Sequence, residues 1–110
     1  MNSTIRRARE SEAAALTAIA HEAKRHWGYP EEWIELWKTA LTITPEFIAQ
    51  HEVFVVQVED EVAGFYVLIQ NADGRWELDH LWIQPKWMGQ GLGRKLFSHA
   101  AERFAEIAPG

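Results

Sequence analysis

Apolar positions recur along this chain in two rhythms, a helical one in the first half and at the end, and a strand-like one between. Leu16, Ile19, Ala20, Ala23 and Trp27 fall on one face of a helix spanning residues 11–27, with Ser11 as its N-cap and Gly28 as its C-terminal stop. Trp33, Leu36, Trp37, Ala40 and Leu41 trace a second stripe with Glu31, Glu32, Glu35 and Lys38 off it, and Pro30 suits the first helical position. Thr44-Pro45-Glu46-Phe47 reads as a fresh helix start capped by Thr44. Thr4–Ala8 reads as a short first strand.

From His51 onward the pattern changes. Val53–Val58 and Ala63–Ile69 are rich in β-branched and aromatic residues and are joined by the charged turn Glu59-Asp60-Glu61, which predicts an antiparallel hairpin. Asp73-Gly74 supplies the next turn, and Trp76–Ile83 is a further strand that Pro85 ends by removing a backbone donor. Leu92, Leu96, Ala100, Phe104 and Ile107 then share one face of a long final helix. Strand, two helices, three strands and a helix make an α+β domain, its flanking helices packed on an antiparallel-dominated mixed sheet. No repeat or low-complexity linker divides it, so residues 1–110 are expected to form a single domain.

Composition narrows the chemistry. With 110 residues and 47% hydrophobic content the chain can build one core without staples, and it has no cysteine for a disulfide, a thiolate metal site or thiol catalysis. The net charge is -5 and the basic cluster is limited to Arg6, Arg7 and Arg9, which argues against nucleic acid and anionic membranes as partners. Ala13–Ala20 is far shorter than the ~20 apolar residues of a membrane span, so a cytoplasmic protein is expected. His21 and His26 are five apart, where a zinc-binding helix pair needs a spacing of about four, so no metal site is expected.

The most informative stretch is Met88-Gly89-Gln90-Gly91-Leu92-Gly93-Arg94-Lys95-Leu96, three alternating glycines between a strand and a helix start. Helix N-termini leave backbone N–H groups unpaired, and residues without side chains let an anion approach them, so a phosphate or pyrophosphate is the natural ligand. A Walker loop is excluded because no hydroxyl follows Lys95, and a dinucleotide fingerprint because Leu96 stands where its third glycine belongs.

Met88–Gly93 resembles the signature Arg/Gln-x-x-Gly-x-Gly/Ala of the GNAT superfamily of acyl-CoA-dependent N-acetyltransferases, with Met88 in place of the usual Arg or Gln. Leu81-Trp82-Ile83-Gln84-Pro85 ahead of it resembles the end of that family's fourth strand. The resemblance implies acetyl transfer from acetyl-CoA, as co-substrate, to an amine of a small molecule or protein by direct attack in a ternary complex. It implies that the amides of Gly89, Gln90, Gly91, Leu92 and Gly93 hold the CoA pyrophosphate, with Arg94 and Lys95 assisting, and that main-chain groups of Leu81, Trp82 and Ile83 pair with pantetheine. Family members continue with a fifth strand and further elements, so the domain reads as one that lacks its C-terminal third. Two expectations follow: an exposed edge on the fourth strand that favours a homodimer or larger assembly, and, as the alternative function, a CoA-binding or dimerisation module without turnover.

Deprotonating the acceptor calls for a base, and Glu77, eleven positions before Met88, has the spacing of the catalytic glutamate in some family members. Simple alternation puts Asp79 on its face and His80 opposite, unless a bulge changes the parity; all three stay candidates. Neither Tyr29 nor Tyr66 lies where the family's general acid would, so the acid is unassigned. Trp27, Trp33 and Trp37 fit core packing or an acceptor pocket, and core is the reading favoured by their helical spacing.

Overall fold

The computed structural model describes residues 2–37 and 40–108, so Lys38, expected off the second stripe, lies outside the described residues. Four strands, β1 (Ser3–Arg7), β2 (Glu52–Val58), β3 (Glu61–Gln70) and β4 (Trp76–Ile83), lie in the sheet in chain order. Each described pairing is antiparallel, so the parallel component expected of a mixed sheet does not occur among the described residues. Helices α1 (Ala13–His26), α2 (Glu31–Leu36) and α3 (Pro45–Gln50) precede the hairpins, and α4 (Leu92–Ile107) follows them.

The strands divide their side chains between two cores. Val53, Val55, Phe65 and Val67 meet Leu16, Ile19 and Ala20 of α1 and Ile48 of α3 on one face. Val56, Val58, Tyr66, Leu68 and Ile83 meet Leu92, Leu96 and Ala100 of α4 on the other. Each fully buried leucine among them contributes roughly 1.5–3 kcal/mol of transfer free energy. Phe104, expected on the buried stripe of α4, is partly exposed beside the open edge of β4.

Local chemistry sets the helix ends. A 3₁₀ turn, Glu10–Glu12, precedes α1, so Ser11 is not its cap. The Glu12 carboxylate accepts from the Arg9 N–H at 2.8 Å and takes the Arg6 guanidinium in two bonds of 3.0 and 2.7 Å. That bidentate pair holds Glu12 below the usual carboxylate range. Gly28, at φ +82°, follows the C-terminal end of α1 as expected. Pro30 is the N-cap of α2 and not its first helical residue, whereas Thr44 caps α3 as expected, accepting from the Phe47 N–H at 3.0 Å.

The second apolar stripe is corrected. Ile34 is the buried residue of α2, at 1% exposure, while Trp33 is 50% and Leu36 80% exposed. A six-residue helix offers the core little more than one turn-facing side chain, and Ile34 takes that position. The preference for a core role for Trp27 and Trp33 falls with it, because both are exposed; Trp37 packs at the core's margin.

The β3–β4 register carries the feature that most affects the site. Val67 faces His80 and Leu68 faces Leu78, so Asp79 is an extra residue, a β-bulge on β4. Side chains directly opposite share a face, which puts Glu77 (opposite Ile69), His80 and Trp82 together on the α1/α3 side. The alternation expected from sequence is thereby reversed: His80, not Asp79, shares the face of Glu77.

Candidate functional site

The site is built where β4 ends and the chain turns into α4. Gln84 donates its N–H to the Ala63 carbonyl at 2.8 Å, so its backbone faces β3. By the alternation of an antiparallel ladder the Trp82 backbone faces β3 too, and the N–H and C=O groups of Leu81 and Ile83 point to the open edge of β4. The close approach of the two strands depends on Gly64, where a Cβ would lie 2.5 Å from the Trp82 carbonyl oxygen and 2.6 Å from Ile83 Cδ1.

After a 3₁₀ turn at Pro85–Trp87, Gly89 and Gly91 both adopt φ +82°, the left-handed conformation that a residue with a Cβ resists. Gly91 is the N-cap of α4, and the first helical bond runs from the Lys95 N–H to the Gly91 carbonyl at 3.0 Å. The N–H groups of Leu92, Gly93 and Arg94 therefore have no acceptor within the helix and carry the positive end of its dipole. A Cβ built at Gly89 or Gly91 meets nothing within 4 Å, and at Gly93 it meets only Ile83 Cγ1 at 3.9 Å, so open space lies before these amides.

That space is part of a cleft of about 370 Å³, lined by Leu81, Trp82, Ile83, Met88, Gly89, Gly91, Leu92 and Gly93 together with Ala23, Trp27 and Trp87. Eight of the expected cofactor residues thus share one cavity. Gln90 is exposed at the loop's tip, and Arg94, also exposed, borders a neighbouring surface hollow with Gly91. Lys95 is committed elsewhere, donating to the Ser3 carbonyl at 2.7 Å and Ser3 Oγ at 2.6 Å. Ala23 and Trp87 escaped the sequence reading, and Trp27, weighed there as core or acceptor pocket, lines this cleft instead, because nothing in a helical repeat reveals that the end of α1 abuts β4.

The three acid–base candidates divide by environment. Glu77 and Asp79 are exposed, while His80 is buried. Trp82 donates its indole Nε1–H to His80 Nδ1 at 2.8 Å, which fixes the neutral imidazole with its proton on Nε2. That nitrogen lies 3.4 Å from Asp79 Oδ2, a contact the bulge makes available. Burial, partly offset by the Asp79 charge, holds His80 below the ordinary imidazole range. Tyr66 is remote from this chemistry: it is buried under α4, its hydroxyl is 2.8 Å from His99 Nδ1, and burial pushes its phenol up. No cluster of potential metal ligands occurs among the described residues, nor any helix long and apolar enough to cross a membrane.

A family model described as the acetyltransferase (GNAT) family matches residues 13–108. Among solved structures the chain resembles the PaiA N-acetyltransferase of Thermoplasma acidophilum in complex with coenzyme A, at 21% identity and a TM-score of 0.80, covering 96% of this chain and 74% of that one. It resembles apo YjaB from Escherichia coli at 26% identity and a TM-score of 0.69, covering 94% of this chain and 67% of that one. YncA from Salmonella typhimurium, solved with its cofactor acetyl-CoA, matches at 24% identity and a TM-score of 0.66 over 96% of this chain and 65% of that one. The chain spans about two thirds to three quarters of the length of these proteins. A search of curated proteins found no significant match.

Proposed function

The chain belongs to the GNAT acetyltransferase family, and from that premise we propose that it moves an acetyl group from acetyl-CoA to an amine of a small molecule or protein by direct attack in a ternary complex. The observation that carries this reading is the single cleft that joins the amides of the glycine loop to the end of β4. Relatives of the same fold were solved with coenzyme A or acetyl-CoA.

The residues present fit such a ligand. The amides of Gly89 to Gly93, unobstructed by side chains where they are glycine, suit a pyrophosphate, and Arg94 is better placed than Lys95 to add charge because Lys95 is tied to β1. Leu81 and Ile83 offer outward main-chain groups to a pantetheine arm, and Trp27, Trp82, Trp87 and Met88 supply apolar walls. Acetyl-CoA, when bound, would supply an activated thioester whose acetyl group ends on the amine as the thiol is released. Met88, where the family signature carries a polar residue, leaves the binding to the amides.

A neutral amine is required, and holding a lysine-like amine deprotonated at pH 7 costs roughly 4–5 kcal/mol. With a strand rise of ~3.3 Å per residue, Asp79 lies about 7 Å along β4 from Leu81 and Glu77 about 13 Å. The proposed base is therefore the Asp79 carboxylate, 3.4 Å from His80 Nε2, with Trp82 fixing the imidazole. Glu77, which shares the face of His80, is assigned to the acceptor side. The open edge of β4, flanked by exposed Leu78, Phe97 and Phe104, supports a homodimer as the acting unit. A cytoplasmic location, where acetyl-CoA is supplied, completes the proposal.

The test is thiol release from acetyl-CoA across an amine panel, with Asp79→Asn beside the native chain. Turnover falling by ~10²–10⁴ in Asp79→Asn, with Glu77→Gln little changed, is the expected result. Acetyl-CoA binding without turnover on any amine would favour the module that binds CoA but does not turn over.

A further inference from the structure

Beside the cleft, the Lys24 side chain is surrounded by aromatic rings. The Lys24 ammonium on α1 lies 4.6 Å from the centroid of the Tyr29 ring, 4.6 Å from that of Trp37 and 5.5 Å from that of Trp82. Among the described residues no carboxylate pairs with it. Tyr29, Trp33 and Trp37 brace one another, with Trp37 edge-on to Tyr29 at 5.3 Å and to Trp33 at 6.0 Å. Three ring faces turned to one cation, without a counter-charge, form an aromatic box, the arrangement that binds ammonium ions through the rings' negative faces.

The box is open and adjacent to the chemistry. Tyr29 and Trp33 are substantially exposed, and Trp82 belongs both to the box and to the cleft. Lys24 reaches it on a flexible four-carbon stem, so its head group can leave to solvent without disturbing α1.

We propose that the box of Tyr29, Trp37 and Trp82, walled by Trp33, is the subsite for a cationic nitrogen of the acceptor, and that Lys24 is a resident occupant which the acceptor's ammonium displaces. The proposal deepens the acetyltransferase reading and rests on it for the acceptor's role. Ring faces favour the charged form of the nitrogen they hold, whereas acetylation needs a neutral one, so the caged nitrogen is not the one acetylated. The acceptor class that follows is a small molecule with two basic nitrogens, one held in the box and the other presented at the end of β4. The chain's net charge of -5 favours such a cation at long range.

The test has a binding arm independent of turnover. In a ¹H–¹³C spectrum of the native chain, ring currents should move the Lys24 Hε resonance upfield of the other lysines. Titration with tetramethylammonium chloride should return it to the ordinary position, with sodium chloride and the neutral isostere tert-butanol inert. Lys24→Gln, which empties the box, should bind tetramethylammonium at least fivefold more tightly by the same titration, and Lys24→Gln/Trp37→Ala should lose that gain. An ordinary Lys24 resonance, or an upfield one that tetramethylammonium does not move, overturns the proposal even where Lys24→Gln fails to fold. In the turnover arm, diaminopentane should be acetylated in preference to pentylamine, and equal rates would overturn the two-nitrogen acceptor. Failure of both amines with displacement intact would count against the acetyl-transfer reading and leave the box standing.

Discussion

Replacing Gly64 by alanine would place a methyl group 2.5 Å from the Trp82 carbonyl oxygen and 2.6 Å from Ile83 Cδ1, contacts that side-chain carbons do not sustain. Relief requires β3 and β4 to separate by about 1 Å at this point, and overpacking of this kind typically costs ~1–3 kcal/mol. The displaced segment is the one whose main-chain groups are proposed to meet the pantetheine arm, where an error of about 1 Å can cost ~10²-fold in rate. Gly64→Ala should therefore lower the urea midpoint and weaken acetyl-CoA binding together. Gly93→Ala is the matched control, since its Cβ meets only Ile83 Cγ1 at 3.9 Å and its φ is not left-handed. That substitution should stabilise the fold by ~0.4–1 kcal/mol through the unfolded state, yet weaken acetyl-CoA binding by standing in the path of the pyrophosphate. Chemical denaturation and calorimetric titration of both variants read the two effects separately. Gly64→Ala with native stability and affinity would show that the β3–β4 approach does not depend on this glycine, and Gly93→Ala with native affinity that the pyrophosphate does not lie before it.

His80 has a folded-state pKa below its unfolded value, so its contribution to stability is complete above about pH 6.5 and is lost as pH falls toward the folded value, because the unfolded chain takes up the proton first. The stability of the native chain should thus decline below about pH 6.5 more steeply than that of His80→Gln, and parallel pH profiles would show that His80 is not held neutral. Glu12, held low by Arg6, should behave in the same direction at more acid pH: its contribution is present above the ordinary carboxylate pKa and lost below it, and Arg6→Gln should flatten the acid limb of the melting profile. Multi-angle light scattering should find a dimer that Leu78→Lys dissociates, since a charge on the open edge of β4 opposes strand pairing; a native chain that is monomeric at high concentration would remove the edge-mediated dimer.

Much of the fold was legible because local signals agreed with the tertiary outcome. The Val53–Val58 and Ala63–Ile69 runs, the Asp73-Gly74 turn, the Thr44 cap and the long final helix after the glycine loop each needed only nearby residues to be read, and each stands where expected. What escaped depended on distant partners. The bulge at Asp79 is set by how β4 registers against β3, and it inverted the assignment of Glu77, Asp79 and His80 to faces. In α2, helical spacing favoured Trp33 and Leu36, yet a single turn packed on α1 selects Ile34. Trp27 and Trp87 could be placed in the cleft only once α1 was seen to approach the end of β4. Lys95 looked like a phosphate ligand by sequence proximity, but its ammonium turns to Ser3.

In the proposed function, the open amides at the N-terminus of α4 hold the pyrophosphate of acetyl-CoA. Calorimetric titration with acetyl-CoA of the native chain and of Gly91→Glu, whose side chain would enter the open space before those amides, tests it most directly, with circular dichroism showing that the variant remains folded. Binding should be saturable in the native chain and lost in the variant; a folded Gly91→Glu chain that binds acetyl-CoA as tightly as the native one would show that the pyrophosphate lies elsewhere.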